Sequence, residues 1–514
     1  HGDMISEEAL PTVNVDVGES RKNAGSGKED LARQEASKIP ESDKWTFWQA
    51  CALNTLNMFG TGPFITCAIL LQTVTPAGPQ ALYGYFASGV LVFFDSFVWG
   101  ELSSIWPYTG GSYAYLSEMY GRDTWGSLAA FMYLWQLLIS GPLEVAGGFV
   151  AAASYLRYFA PMSDLGAQFA ACGLSIFCFL GMYTGVRESA RMTYFLWVLT
   201  MLAVLYVYVA GFSNLDASNF KSPSGWQKSL DWKTFGMLMR VGIFDFTGYY
   251  DACHIGDQIK NPTYTIPRAT IITCGSVVVM CVGIYCAIYG VLDARDMENM
   301  NANYPISEFS EKLFGKAVAC FFTVVVTVTI LASCYSMIIG YVVVPYIAAR
   351  DGFFLKWFHH LHPTKSGLPD HSLLCFAVVT SACCFLELET IIEALMTTRI
   401  IVQLFGQAVG LVYYRYTHPD TPRPFKSPLY PLPSIISFCG FGFVLITTSS
   451  WIGGDRVGLL EMSIIYLAIG GVVFHIWAKT KRNWPYQELA SGEKYTANDG
   501  KVSRSMDVNS ATAE

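Results

Sequence analysis

Twelve long apolar stretches constrain the fold of this chain more than any other feature of its sequence. A transmembrane helix needs about 20 predominantly apolar residues, and helices satisfy their own backbone in a bilayer that offers no water. Only 14% of the residues are charged, against about 25% in a typical soluble domain. The sequence therefore predicts an all-α integral membrane protein with twelve transmembrane helices. The predicted spans are residues 46–72, 80–105, 124–158, 165–184, 190–212, 233–257, 268–292, 315–347, 372–388, 390–415, 431–451 and 459–480.

The two ends of the chain differ from this apolar region. Residues 1–43 and 483–514 are polar and contain few large apolar side chains, which predicts disordered tails. The membrane domain then covers residues 44–482. Lys and Arg favour cytoplasmic links, and a cytoplasmic N-terminus places eleven of them in the inner links and eight in the outer links. We therefore expect a multi-pass protein of the plasma membrane with both termini in the cytoplasm.

Composition and residue spacing argue against several classes of function. The net charge of −7 and the lack of a Lys/Arg block indicate no nucleic-acid partner. Most of the 14 cysteines lie in apolar stretches without metal-ligand spacing and are interpreted as buried thiols. The histidines at 359, 360 and 362 also lack metal spacing and are interpreted as a solvated link. No nucleophile–base pair is evident, so we expect no metal, no cofactor and no enzymatic activity.

Two of the predicted spans are interrupted by residues that break helices. The sixth contains Asp245-Phe246-Thr247-Gly248-Tyr249-Tyr250-Asp251, and the first contains Gly60-Thr61-Gly62-Pro63. A charge at membrane depth normally faces a cavity or a partner, whereas glycine and proline disrupt regular helix. Interruptions at corresponding places in two halves of a chain indicate a transporter site built on an inverted repeat. The simpler alternative is a kinked structural helix with a satisfied polar pair.

Two more charges lie within apolar stretches. Glu144 is the only charge in the core of the third span, and Arg399 lies in the tenth. A lone intramembrane carboxylate indicates a functional site, although a protonated, packed side chain is the alternative. We expect Arg399 to pair with Glu393 or with a carboxylate on another span. Hydroxyls of the eighth span, such as Thr327 and Ser333, either line a path or bond to their own helix.

Four motifs occur in order along the chain. Residues 256–269 combine an acidic residue, Asn-Pro and Ile-Pro-Arg-Ala after the sixth span. Residues 101–113 join Glu-Leu, Pro and Gly-Gly after the second. Residues 349–352 read Ala-Arg-Asp-Gly, and residues 423–428 read Arg-Pro-Phe-Lys-Ser-Pro. In these motifs the chain resembles the amino acid–polyamine–organocation transporter superfamily over spans one to eleven.

The resemblance implies a twelve-span fold with two inverted repeats, about 46–212 and 233–415, followed by extra spans at about 431–480. It also implies alternating access and a substrate held by the interrupted first and sixth helices. Residue by residue, the binding positions are Gly60, Thr61, Gly62, Phe244, Asp245, Phe246, Thr247 and Gly248. The outer link between the third and fourth spans contains no cysteine, so no disulfide-linked heavy chain is expected.

The side chains near the sixth-span interruption favour a cationic substrate. Carboxylates in a low-dielectric cleft attract cations strongly, and Asp245 and Glu144 are the best placed, with Asp251 third. The aromatic rings could add cation–π contacts of about 0.5–2 kcal/mol each. Tyr250-Asp251 is also similar to a Tyr-Asp or Trp-Asp step in polyamine-transporting members. The aromatic rings that could form the cation–π contacts belong to Phe244, Phe246, Tyr249 and Tyr250.

We therefore predict a carrier of polyamines or basic amino acids, with Asp245 or Glu144 exchanging a proton and Arg399 assisting coupling or gating. Either H⁺ or Na⁺ could be the coupling ion. One alternative is a neutral amino acid permease or exchanger, in which Asp245 pairs with Arg399 or Arg240 as a structural lock. A non-transporting sensor or a channel is the other alternative, although the short tails argue against a sensor.

Overall fold

The computed structural model describes residues 39–60, 62–74, 77–183, 186–221, 226–228, 230–292, 296, 304–365, 367–448, 459–481 and 484–485. Within these ranges the regular structure is helical, apart from one isolated parallel bridge between Trp45 and Ile259. The helices of the first half are α1 (Phe47–Gly60), α2 (Gly62–Gln72), α3 (Ala81–Ile105), α4 (Ser112–Met119), α5 (Trp125–Leu156), α6 (Asp164–Gly181) and α7 (Val186–Ser213).

The second half begins after two short 3₁₀ turns at Ala217–Phe220 and Trp226–Lys228. Its helices are α8 (Trp232–Phe246), α9 (Asp251–His254), α10 (Pro262–Val291), α11 (Pro305–Phe314), α12 (Lys316–Tyr341), α13 (Val343–Arg350), α14 (Asp370–Cys383), α15 (Leu388–Arg399), α16 (Phe405–Thr417), α17 (Leu432–Thr448) and α18 (Leu459–Lys481). One π-helical turn, Ile400–Leu404, joins α15 to α16.

Seven of the described helical units are long and apolar enough to cross a bilayer: α3, α5, α6, α7, α10, the α12–α13 pair and α18. Helices α14 and α17 are apolar but shorter. A described helix overlaps every one of the twelve predicted stretches. The number of crossings and the inverted repeat remain predictions.

The centre of the bundle is formed by α1, α3, α5, α8, α10 and α12. Helix α10 packs along α3 and α1, α8 packs along α3, and α12 packs against α5 and α1. Helices α6, α7 and α18 lie further out and expose large apolar side chains, including Phe177, Phe195 and Ile476. Such exposed apolar surface is expected of helices that face lipid tails. The interrupted helices α1 and α8 therefore lie inside the bundle.

The predicted interruption of the sixth stretch is present but shorter than expected, whereas the one predicted for the first stretch could fall only at Thr61. Helix α1 ends at Gly60 and α2 begins at Gly62; Thr61 lies outside the described residues. Pro63 is helical, because its missing N–H has no helical partner to lose in the first turn of α2. In the sixth stretch α8 continues through Asp245 and Phe246, and only residues 247–250 leave the helix. The prediction that Pro63, Asp245 and Phe246 would be unwound was wrong.

Candidate functional site

Helix α1 supports the interrupted backbone of the sixth stretch through Asn54. The side-chain N–H of Asn54 donates to the carbonyl oxygen of Tyr249 at 2.7 Å, and the side-chain oxygen of Asn54 accepts from the N–H of Ala252 at 2.8 Å. Both backbone groups lie where a continuous helix would have satisfied them, and buried backbone groups without partners are costly. Asn54 therefore stabilises the break and fixes α1 against the start of α9.

Gly248 allows the closest approach between the two interrupted segments. Its φ of +116° is a conformation that side chains disfavour, and a Cβ there would lie 2.4 Å from the Cγ of Asn57. On the other segment, a Cβ at Gly62 would lie 3.0 Å from Asp245. Gly248 thus brings the interruption close to α1, and Gly62 brings the start of α2 close to Asp245 on α8.

Asp245 lies on α8, directly beside the first interruption, and is only 1% exposed. The hydroxyl of Thr66 on α2 lies 2.8 and 2.7 Å from its two carboxylate oxygens, and Tyr285 of α10 donates to it at 3.0 Å. Thr66 also lies 2.6 Å from the carbonyl oxygen of Gly62. Among the described residues, no basic side chain forms an ion pair with Asp245.

Glu144 and Arg399 form a buried ion pair between α5 and the end of α15. The two terminal nitrogens of the Arg399 guanidinium donate to the two carboxylate oxygens of Glu144 at 2.9 and 2.7 Å. Tyr341 of α12 also donates to Glu144. The prediction that a carboxylate on another span pairs with Arg399 is confirmed. The alternative pairing of Asp245 with Arg399 was wrong, because the guanidinium fork is occupied by Glu144.

Asp251 is the first residue of α9 and is fully buried. Its Oδ2 accepts from the side-chain amide of Asn57 on α1 at 2.5 Å. His254 ends the same short helix, and its Nδ1 lies 4.0 Å from the Oδ1 of Asp251. On the other side of the ring, Nε2 lies 3.1 Å from the hydroxyl of Tyr133 on α5.

A buried carboxylate on α3, Asp95, supports the aromatic part of the interruption. Its Oδ2 accepts from the hydroxyl of Tyr249 at 2.5 Å and from the indole N–H of Trp99 at 3.0 Å. Trp99 in turn stacks on the ring of Tyr250, with centroids 4.2 Å apart and planes at 10°. Tyr249 and Tyr250 are therefore held in place, and one face of Tyr250 is covered by protein.

The structure brings most of the predicted site residues together around the two breaks. Asp245 contacts the first interruption, whereas Glu144 lies in a second cluster with Arg399, Tyr250 and Tyr341. Phe246 is packed against Tyr85, with ring centroids 4.9 Å apart. The roles of these residues in binding remain predictions.

Sequence reasoning missed several polar residues that complete the site. Each interrupts an apolar stretch, and that signal was visible in the sequence. Their partners lie on other helices, so no spacing along the chain identified them. They are Asn54, Asn57, Thr66, Asp95, Tyr133, His254 and Tyr285.

One cluster elsewhere could hold a metal ion by composition: His360 in the link before α14, with Asp370 and His371 at the start of that helix. The two imidazole rings stack with centroids 4.3 Å apart, and Nδ1 of His360 lies 2.6 Å from Asp370. Burial raises the pKa of Asp370, but the His360 contact outweighs it and leaves that pKa below its ordinary value. A partly exposed His–carboxylate pair accounts for this cluster.

A helix that is interrupted inside an apolar helical bundle is typical of membrane transporters. Comparison with known families is more specific. The amino acid permease family model matches residues 46–474, and the chain belongs to this family. The resemblance to the amino acid–polyamine–organocation superfamily is thereby confirmed.

Curated relatives cover most of the chain. The cystine/glutamate transporter of Homo sapiens is 26% identical over 467 residues, which are 87% of this chain and 88% of that protein. The methylthioribose transporter of Bacillus subtilis is 22% identical over 443 residues, 82% and 90% of the two chains. The Asc-type amino acid transporter 1 of Mus musculus is 22% identical over 429 residues, 78% of each. The family and these relatives are transporters, in agreement with the expectation that the protein is not an enzyme.

Proposed function

We propose that this permease is a secondary transporter that carries a cationic amino acid or a polyamine by alternating access. The substrate's ammonium group binds at the first interruption, beside Asp245 and the backbone around Gly62, with the 247–250 segment opposite. The single observation that carries this proposal is the chemistry around Asp245. Its carboxylate is buried and bonded only by hydroxyl groups of described residues.

The argument for a cation is electrostatic. A carboxylate that leaves water for a membrane interior loses several kcal/mol of solvation, and the Thr66 and Tyr285 hydroxyls supply dipoles without a compensating charge. An ammonium group entering the same cleft would supply that charge. The named substrates of the relatives include cystine, glutamate and methylthioribose, so their names do not decide the charge of this substrate. The charge of the substrate is therefore inferred from the binding-site residues of this chain.

Glu144 supports the second candidate, a neutral amino acid permease or exchanger. Its charge is already balanced by Arg399, so it is a weaker cation site than the sequence suggested. If Asp245 serves only the α-ammonium group of an amino acid, neither Asp245 nor Glu144 remains for a basic side chain. A substrate with one ammonium group would then be preferred.

Counterflow in proteoliposomes tests these alternatives. Labelled arginine, lysine, putrescine and spermidine are compared with leucine and serine, in wild type and in Asp245→Asn. We expect counterflow of the basic substrates and a loss of at least tenfold in D245N, which corresponds to about 1.4 kcal/mol. Asp216→Asn is the matched control, because Asp216 lies in the exposed link before α8 and its side chain accepts from the backbone N–H of nearby Ser218.

Other outcomes would favour the alternatives. Counterflow of leucine or serine alone would support the neutral permease. Flux that neither saturates nor slows strongly on cooling would indicate a channel, and no flux of any solute would indicate a sensor. A location in the plasma membrane, with both termini in the cytoplasm, belongs to the same proposal.

A further inference from the structure

Three buried polar atoms on neighbouring side chains at the second interruption lack hydrogen-bond partners within the described part of the chain. They are Oδ1 of Asp251, Nδ1 of His254 and Oδ1 of Asn57, and none has a hydrogen-bond partner among the described residues. The side chains of Asp251 and His254 are fully buried, and the two unpaired atoms lie 4.0 Å apart. Gly340 of α12 adjoins the gap, since a Cβ there would lie 3.6 Å from His254 and 3.7 Å from Asp251.

Unsatisfied buried polar groups are uncommon, and each calls for a physical explanation. The remaining atoms of the same side chains are well bonded. Oδ2 of Asp251 accepts from Asn57, and Nε2 of His254 contacts Tyr133. The backbone carbonyl of His254 accepts from Gly110 at 3.1 Å. The side chains that carry the unpaired atoms are therefore fixed in position by their other hydrogen bonds.

The charges around this gap do not balance. The ionisable groups that face it are Tyr133 and Glu144 on α5, Tyr250 before α9, Cys253 on α9, Tyr341 on α12 and Arg399 on α15. Helix α1 contributes Asn57, which is not ionisable. Since Glu144 and Arg399 neutralise each other, an ionised Asp251 leaves one buried negative charge. A buried charge of this kind requires a counter-charge or a proton.

The donor set favours a proton over a metal cation. Hard cations prefer six or more oxygen ligands in proteins, whereas the gap offers two unpaired oxygens and one imidazole nitrogen. Imidazole and carboxylate are instead the pair between which a proton moves most readily near neutral pH. A proton on Oδ1 of Asp251 would also pair both orphaned atoms once they approach each other by about 1 Å.

We propose that Asp251 and His254 share one transferable proton that is carried together with the substrate. The proton binds at Oδ1 of Asp251 or Nδ1 of His254 in one state of the carrier and is released in the other. Asp251 directly follows the 247–250 interruption, so movement of that segment changes the distance between the two atoms. This inference rests on the proposed transport function, but it places proton coupling on residues other than Asp245 and Glu144.

The test separates coupling from transport itself. Proteoliposomes that contain a pH-sensitive dye receive substrate under an imposed pH gradient, and counterflow is measured in parallel without a gradient. In wild type, adding substrate should cause protons to enter the proteoliposomes. Replacing sodium with choline should leave both this proton entry and the accumulation of substrate unchanged. In Asp251→Asn and in His254→Gln, gradient-driven accumulation should fall at least tenfold more than counterflow measured with the same variant. Asp370→Asn and His360→Gln, which alter the partly exposed pair at the start of α14, should resemble wild type.

An infrared measurement keeps the inference testable without any transported solute. The pH-difference spectrum of purified protein should contain a protonated carboxyl band that disappears in D251N and shifts in H254Q. The conservative variant Asp251→Glu, unlike D251N, should again show a protonated carboxyl band. Proton-independent wild-type transport, D251N with undiminished gradient-driven accumulation, or an infrared band unchanged in D251N would each overturn the inference. Absence of counterflow in wild type would count against the proposed function instead, and the infrared result would still decide the proton site.

Discussion

Arg399 and Glu144, 255 positions apart in the chain, are joined by two hydrogen bonds of 2.9 and 2.7 Å in the interior of the protein. The side chains are 2% and 3% exposed. The pair links the end of α15 to the middle of α5, next to the second interruption. A bidentate geometry of this kind satisfies a guanidinium group better than a single contact.

Removing one partner of this pair should destabilise the protein strongly. Arg399→Met leaves Glu144 buried without a counter-charge, and Glu144→Gln leaves the guanidinium unpaired, so we expect a loss of about 3–5 kcal/mol for each. The double variant should lose less than the sum of the two. The measurement is the unfolding free energy of detergent-purified protein.

The matched control is Asp164→Asn, which breaks the exposed Arg157–Asp164 pair at 2.7 Å and should cost less than about 1 kcal/mol. Equal effects of the buried and exposed variants would contradict this prediction.

Asn54→Ala should destabilise the interrupted segment. It removes one donor and one acceptor, leaving the carbonyl of Tyr249 and the N–H of Ala252 unsatisfied, at about 1–3 kcal/mol for each group. Hydrogen exchange at residues 247–252 should accelerate in this variant. Asn214→Ala is the control, because Asn214 directly follows α7 and its side-chain amide donates to the carbonyl of Ala210 at the end of that helix. Unchanged exchange in N54A would show that the contact does not hold the break.

Gly248→Ala should reduce folding yield and transport severely. The added methyl group would lie 2.4 Å from Asn57, on a residue with φ of +116°. Backbone strain of this type costs about 1–3 kcal/mol before the steric overlap is included. Gly173→Ala on α6 meets no atom within 4 Å and should stabilise its helix by about 0.5–1 kcal/mol. The yield of monodisperse protein distinguishes the two, and a well-folded, active G248A would refute the proposed close approach.

Thr66→Val should weaken substrate binding if Asp245 holds the ammonium group. The variant keeps the shape of the side chain but removes the hydroxyl beside both carboxylate oxygens. We expect KM to rise about tenfold, corresponding to about 1.4 kcal/mol, and Thr66→Ser to restore the wild-type value. Thr327→Val is the control, since Thr327 bonds to the carbonyl of Thr323 in its own helix. An unchanged KM in T66V would separate Asp245 from substrate binding.

Asp231 should make the start of α8 sensitive to acid. Its carboxylate accepts from the backbone N–H of Thr234 at 2.7 Å, and this bond lowers its pKa in the folded protein. A lowered folded pKa means that the stabilisation is present above the unfolded value of about 3.9 and is lost as pH falls through the folded pKa. Asp231→Ala should remove about 0.5–2 kcal/mol at neutral pH, and Asp231→Asn should retain the cap without its acid sensitivity. Unfolding midpoints at neutral and acidic pH measure both effects, and identical acid sensitivity in wild type and D231N would contradict the assignment.

The sequence by itself determined the apolar helices and the position of the break at residues 247–250. Bilayer-length apolar stretches permit little besides helix, and Gly248 marks where helix becomes costly. The motifs alone identified the family. Asp245, Glu144, Asp251 and Arg399 were also visible from the sequence, because charges in apolar stretches are rare.

Only the tertiary structure decided which of these charges neutralise one another. Glu144 and Arg399 are far apart in the chain, and nothing in the local sequence of either residue favours this pairing over Asp245 with Arg399. The same holds for Asn54, whose partners lie 195 and 198 positions away. The physical reason is that helix periodicity depends on neighbours three and four residues apart, whereas a polar site between helices depends on how those helices pack. The packing left Asp245 without a basic partner among the described residues and placed Asp251 beside His254.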